Sequence, residues 1–174
     1  MALDHAGLFK TLNERFGDSI LSCAEFRSQH VVRIKRESNL AILKFLRDDS
    51  SARFEMLTDV TCVDGLRAPD AMQKEFIERF AVVYQLTSIS NNARLRVKAY
   101  VSEDPCEIDS ASGLWASANW GEREAFDFFG VIFKGHPDLR RILMPEGYEG
   151  HPLRKDYPLK GRGESDNFVK FVKA

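Results

Sequence analysis

Apolar residues recur at helical spacing near the start of the chain. Leu8, Phe9, Leu12 and Phe16 fall on one side of a helix, and Gly17 follows as a C-terminal stop. Residues 19–26 and 30–35 read as two short strands. A second helix is predicted after Ser38 or Asn39, either of which suits an N-cap, with Leu40, Ile42, Leu43, Phe45 and Leu46 on a broad apolar face. From Arg53 to Asp64 the period switches to two. Phe54, Met56, Thr58, Val60 and Cys62 are therefore expected on one face of a half-buried strand. Residues 76–87 are nearly continuously apolar and read as a central strand. Leu95, Val97, Ala99 and Val101 then alternate with Arg94, Arg96, Lys98 and Tyr100, which gives a strand with one wet face. Asn91 and Asn92 lie between these two strands and suit a tight turn, since Asn tolerates left-handed backbone.

The pattern changes after Pro105. Trp115, Trp120, Phe126, Phe128, Phe129 and Phe133 crowd one segment, and a helix is predicted from about Glu122 to Phe129, stopping at Gly130. Acidic residues at its start suit the positive end of the helix dipole. From Gly135 onward Pro137, Pro145, Pro152 and Pro158 leave no room for a long helix or a central strand. The expected fold class is α+β, with helices packed on one face of a mixed or antiparallel sheet, followed by an irregular extended C-terminal tail. The expected domains are an α+β globular unit over residues 1–133, including an aromatic-rich helical clamp at 111–133, and a partner-docking tail over residues 134–174.

At 174 residues, length suits one domain with an extension. A formal net charge of −1 and a pI near 6.4 give no electrostatic reason to expect nucleic acid or an anionic membrane as main partner. The charge is uneven, however. Residues 134–174 hold nine Lys/Arg against six Asp/Glu, so the tail is basic while the rest is acidic. The longest apolar run, Phe80 to Leu86, is far short of the ~20 residues that a bilayer span needs. Met1 to His5 resemble neither a secretory signal nor a transit sequence. Cys23, Cys62 and Cys106 are too few and too scattered for a disulfide framework, a zinc knuckle or a Cys-ligated iron–sulfur cluster, and they suit a reducing compartment.

Catalytic templates fit poorly. The Gly161-Arg162-Gly163 triplet has Asp166 at the third fingerprint position and no strand before it. Gly130 and Gly135 have P-loop spacing, but His136-Pro137 stands where the lysine and hydroxyl should be. There is no nucleophile elbow. His136 and His151, each in a Gly-His-Pro triplet, could join Asp138, Glu146 or Glu149 around a cation, though a His before a Pro more often fixes a turn through ring hydrogen bonds. Glu122, Arg123, Glu124 and Asp127 form the densest charged cluster. They read as acid/base groups, as a solvated helix start with an Arg123–Asp127 pair at i, i+4, or as a partly buried clamp paired against the Arg-rich tail. The aromatic context favours the clamp. Arg140, Arg141, Arg154 and Lys155, broken up by Asp156, match a partner's carboxylates better than phosphate, and Phe168 and Phe171 suit interface anchors.

The run from Glu122 to Val131, the run from Gly135 to Glu146 (GHPDLRRILMPE) and the run from Gly150 to Leu159 (GHPLRKDYPL) resemble the signature blocks of the C subunit of bacterial proton-pumping NADH:quinone oxidoreductase, respiratory complex I. The first hundred residues fit that family only in pattern. The resemblance implies a non-catalytic scaffold subunit of the peripheral arm, with no cofactor of its own, since flavin and iron–sulfur clusters belong to partner subunits. It implies the hydrogenase-like quinone-site subunit, the D subunit, as the main partner, with subunits B and I nearby. It also implies a peripheral place on the cytoplasmic side of the cell inner membrane. The expected docking residues are Glu122, Arg123, Glu124, Asp127, His136, Arg140, Arg141, His151, Arg154, Lys155, Asp156 and Tyr157 in the matched blocks, with Phe168 and Phe171 added from the reading of the tail. Alternatives are the equivalent subunit of a membrane-bound hydrogenase or a ferredoxin- or coenzyme-linked oxidoreductase, and a free-standing metal-dependent enzyme using His136 and His151.

Overall fold

The computed structural model describes residues 3–69 and 76–163. Phe168 and Phe171 lie outside the described residues. Helix α1 (His5–Phe16) starts at Asp4, whose carboxylate accepts the Gly7 N–H at 3.0 Å, and ends at Gly17 with φ 46°. It buries Leu8 and Leu12. Helix α2 (Asn39–Asp48) buries Ile42, Leu43, Phe45 and Leu46, whereas Leu40, expected on the same face, is exposed.

Five strands form one sheet: β1 (Ile20–Phe26), β2 (Gln29–Lys35), β3 (Met56–Asp64), β4 (Phe80–Ser88) and β5 (Ala93–Val101), in the order β1-β2-β5-β4-β3. All neighbours are antiparallel except β2 and β5, which run parallel. Leu95, Val97, Ala99 and Val101 point inward as their alternation requires, and join Leu12, Leu43, Leu46 and Tyr84 in one buried cluster. Asn92 takes the left-handed backbone of the β4–β5 turn, at φ 48°.

The β3 pattern needs a correction. Its register against β4 slips between Leu57 and Asp59, a bulge that reverses which residues face the core. Leu57 is therefore buried, whereas Met56 and Thr58, expected inside, lie outside; Phe54, Val60 and Cys62 remain buried.

Helix α3 (Ala118–Phe129) begins one turn before the expected Glu122 and lies along β3. Gly121 makes the close approach possible, because a Cβ there would sit 3.0 Å from Val60 Cβ and from the Val60 carbonyl oxygen. Strands β6 (Glu107–Asp109) and β7 (Ile132–Lys134) pair in parallel on either side of it in sequence, a pairing of short segments that periodicity did not reveal. From Gly135 to Gly163 the chain forms turns and bends, with no helix or strand among the described residues.

Candidate functional site

The C-terminal end of α3 is where the tail meets the body. Any helix leaves its last four carbonyls without internal partners. Here the Phe126 carbonyl accepts from Gly130 N–H, and Gly130 adopts the left-handed cap at φ 75°. The other three are met by the tail. Asp127 carbonyl accepts from Arg141 Nη1 at 3.0 Å and faces His151 Nδ1 at 3.0 Å. Phe128 carbonyl accepts from Leu153 N–H at 3.2 Å, and Phe129 carbonyl from Arg154 Nε at 2.6 Å. Two guanidinium groups thus stand at the negative end of the helix dipole, where cations are favoured. A side chain at Gly130 would collide with two of these tail residues: a Cβ would lie 2.5 Å from His151 Nε2 and 2.8 Å from Arg154 Nη2.

The Asp127 side chain is the second element of the clamp. It is fully buried, and its carboxylate accepts from Arg141 Nη1 at 2.6 Å and from the backbone N–H groups of Ile142, Leu143 and Met144 at 3.1, 2.8 and 2.8 Å. Burial pushes this carboxyl up. The N–H groups of Met144 and Leu143, the Arg141 guanidinium and the Ile142 N–H outweigh it and hold the group below the usual carboxylate range. A short negatively charged side chain is the group that satisfies three converging donors and a cation together.

A third clamp joins the tail to the sheet edge. Arg79, just before β4, spans three acids: Asp64 at the end of β3 (3.0 Å), Glu103, and Asp156 in the tail (2.8 Å). The Asp64 carboxylate also accepts the Lys155 N–H at 2.9 Å. The Asp64 side chain is fully inaccessible and that of Arg79 only 9% accessible, so this pair is desolvated, and burial of Asp64 is outweighed by Arg79 and the N–H groups of Lys155 and Leu66. The guanidiniums of Arg79 and Arg154 both lie over the Phe80 ring, 4.9 and 5.1 Å from its centre.

The remaining sequence-predicted residues divide clearly. The Arg123 guanidinium donates to the carbonyls of Arg140 and Arg141, so it holds the tail and does not form the i, i+4 pair with Asp127. Arg140 is exposed and bidentate to Asp138. His136 fixes a turn: its Nδ1 accepts from Asp138 N–H at 3.0 Å and its Nε2 faces Asn119 carbonyl at 3.1 Å. Tyr157 pairs its hydroxyl with that of Tyr148 at 2.6 Å. Glu124 is exposed. Glu122, read as part of a solvated helix start or a tail clamp, is instead in the core with 0% exposure. It meets Ser110 Oγ at 2.5 Å and accepts from Ala111 N–H at 2.6 Å, with no ion pair to a described residue. Burial drives its carboxyl up to about 7 against those two hydrogen bonds.

His136 and His151 are separately engaged with backbone groups, and no group of three or more His, Cys, Asp or Glu placed to hold a metal occurs among the described residues. Sequence reading missed Arg79 and Asp64, which lie far from the basic tail in sequence. It also passed over the outward faces of the site: Trp120 at 68% exposure, Leu143 at 57%, Leu153 at 48% and Leu159 at 104%.

This α+β body is a fold shared with two solved structures. It matches "Nqo5 of the trypsin-resistant fragment (1-134) in P63 form" with a TM-score of 0.64 and 32% identity, over 76% of this chain and 98% of that one. It matches a chain of the membrane-bound sulfane sulfur reductase, an archaeal respiratory membrane complex, in fold alone, with a TM-score of 0.71 and 18% identity over 98% and 95%. The sequence profile described as respiratory-chain NADH dehydrogenase, 30 Kd subunit, spans residues 32–163, and the chain belongs to that family. Relatives include the C subunit of the NADH-quinone oxidoreductase of Citrifermentans bemidjiense, 53% identical over 86% of this chain and 87% of its own length. The protein of the same name from Geotalea uraniireducens is 48% identical over 92% of both.

Proposed function

We propose that the chain serves as the C subunit of a proton-pumping NADH:quinone oxidoreductase, a scaffold of the peripheral arm that docks through its tail and the outer side of α3. One observation carries this reading. The tail backbone is pinned to its own body at Asp127, at the end of α3 and at Arg79–Asp64, yet Leu143, Leu153 and Leu159 face outward, and so does Trp120 on α3. A segment held this firmly gains nothing internally from presenting leucines to water, so the apolar side chains are placed for a partner. Under this reading the chief neighbour is the quinone-site D subunit, with subunits B and I close by.

The chain is proposed to carry no cofactor, the flavin and iron–sulfur clusters residing in partner subunits. Three cysteines, Cys23, Cys62 and Cys106, are one short of the four thiolates that hold a common iron–sulfur cluster, which supports this assignment. No helix among the described residues is long and apolar enough to cross a membrane. Attachment to the cytoplasmic side of the inner membrane would come through the assembled complex.

The test is the double substitution Leu153→Glu/Leu159→Glu. The isolated chain should melt within a few degrees of the unaltered protein, since both side chains face outward, while the yield of assembled complex falls at least several-fold. Full assembly with both charges present would overturn the docking role of the tail.

A further inference from the structure

The outer face of the sheet, opposite the helices, presents a further surface at its β1–β2 hairpin end. The strand registers arrange it in rungs. The rung at the β1–β2 hairpin end reads Phe26, Gln29, Arg94, Thr87, Met56 across the five strands, and the next reads Ala24, Val31, Arg96, Gln85, Asp59. Both ends of the first rung are apolar and open to solvent, Phe26 at 68% and Met56 at 45% exposure. The Met56 end exists because the β3 bulge turns this residue outward.

Between those ends lies a trough of about 520 Å³ of mixed character, walled by Arg94, Arg96, Gln85, Thr58 and Thr87, with Asp59, Leu86 and Leu95 also lining it. Its charge is one-sided. Arg94 and Arg96 stand two residues apart on β5 and point to the same face, and Arg27 adds a third guanidinium over the Phe26 ring at 5.1 Å. Asp59 is the one acid on these two rungs. Gln85 turns its amide oxygen to Arg96 Nε and Nη2 at 2.9 and 3.2 Å, which fixes that guanidinium in place. The Arg94 guanidinium is exposed and has no hydrogen bond or ion pair with a described residue.

We infer that this trough receives an acidic, extended segment of another polypeptide of the complex. Its carboxylates would meet Arg94 and Arg96, and an apolar side chain at either end would cover Phe26 and Met56. Arginine flanked by exposed aromatic and Met side chains is the composition of a protein interface, and guanidinium forks match carboxylates. The four strand spacings between the apolar ends amount to roughly 19 Å, a span of about six extended residues. The apolar ends make the trough a poor seat for a polyphosphate or a nucleic-acid backbone, whereas an acidic peptide can place apolar side chains on them and keep its carboxylates on the arginine side, away from Asp59. The inference rests on assembly into a complex and is independent of how the tail docks.

The test places a cysteine at the exposed Gln29 (Gln29→Cys) and compares its maleimide labelling in the isolated full chain and in the purified complex, read by mass spectrometry of that peptide. Protection of tenfold or more in the complex is expected, and Arg94→Glu/Arg96→Glu should restore most of the labelling while the complex stays assembled through the tail. A cross-linker on the same cysteine should capture a segment rich in Asp and Glu. Equal labelling in both states, protection that survives the double reversal, or capture of a basic segment, nucleic acid or a second copy of this chain would each overturn the inference.

Discussion

The Asp127 carboxylate and the Arg141 guanidinium meet at 2.6 Å, and the same carboxylate binds three consecutive backbone N–H groups of the tail. The residue thus ties α3 to residues 141–144 through four donors at once. Asp127→Asn keeps the volume but removes the charge and turns one acceptor into a donor facing other donors. The expected cost is about 3 kcal/mol in urea unfolding, with faster proteolysis between residues 141 and 155. Because the folded carboxyl lies below its unfolded value, its contribution is present above the unfolded pKa near 3.8 and is lost as pH falls through the lower folded value. The Asn variant should therefore differ from the unaltered chain at pH 7 and converge with it in strong acid.

Arg79 separates a buried ion pair from an exposed one on a single side chain. The Asp64 side chain is inaccessible and that of Asp156 is 48% accessible. Arg79→Met leaves Asp64 buried without its cation and should cost about 3–5 kcal/mol, whereas Asp156→Asn should cost under about 1 kcal/mol. Thermal or denaturant unfolding of both variants checks the order. Equal losses would mean that the tail contact, and not the buried pair, fixes this corner.

Glu122 has the opposite pH behaviour. Its folded pKa is raised from 4.5 to about 7, so the unfolded chain releases the proton first. Stability therefore falls as pH rises from about 4.5 to about 7 and levels off above, by an amount on the order of 3 kcal/mol from this group. Glu122→Gln keeps both hydrogen bonds available and should flatten that slope, gaining stability relative to the unaltered chain at pH 8. Urea midpoints at pH 5, 6, 7 and 8 measure it, and parallel slopes in the two proteins would show that burial of Glu122 carries no proton linkage.

Much of this was legible in the chain because it depends on local pattern. The α1 stripe ending at Gly17, the β5 alternation as far as Ala99 and the Asn91-Asn92 turn formed as read, since each is set by neighbours within a few residues. Tyr100, expected on the wet face of β5, is instead buried, with the Phe76 ring packed against it. What failed was set by contacts distant in sequence. The β3 bulge shifts the phase of an alternation that looks continuous, and only pairing with β4 reveals it. The helix was expected to begin at about Glu122, but it runs through Gly121, where β3 lies in the place a side chain would take. Glu122 looked like a favourable acid at a helix start until the earlier start at Ala118 moved it inside. At the site, the acids and bases of the clamp were visible as types, whereas their partners Arg79 and Asp64 come from strands the tail reaches only after folding.

Trp120 separates folding from docking. It is 68% exposed, with the Arg123 guanidinium 5.5 Å from its ring centre. Trp120→Ala should change folding stability by no more than about 0.5 kcal/mol, yet reduce complex yield, since large exposed aromatics dominate interface energies when buried by a partner. A large loss of stability in the isolated chain would mean that the ring supports the helix itself.

The most direct test of the scaffold role is native affinity purification of the tagged chain from its own membranes, with mass spectrometry of everything that accompanies it. Recovery with flavin, iron–sulfur and quinone-site subunits, in proportions that collapse for Leu153→Glu/Leu159→Glu, is the result expected. Recovery as a lone protein, or undiminished recovery of those partners with the double substitution, would contradict it.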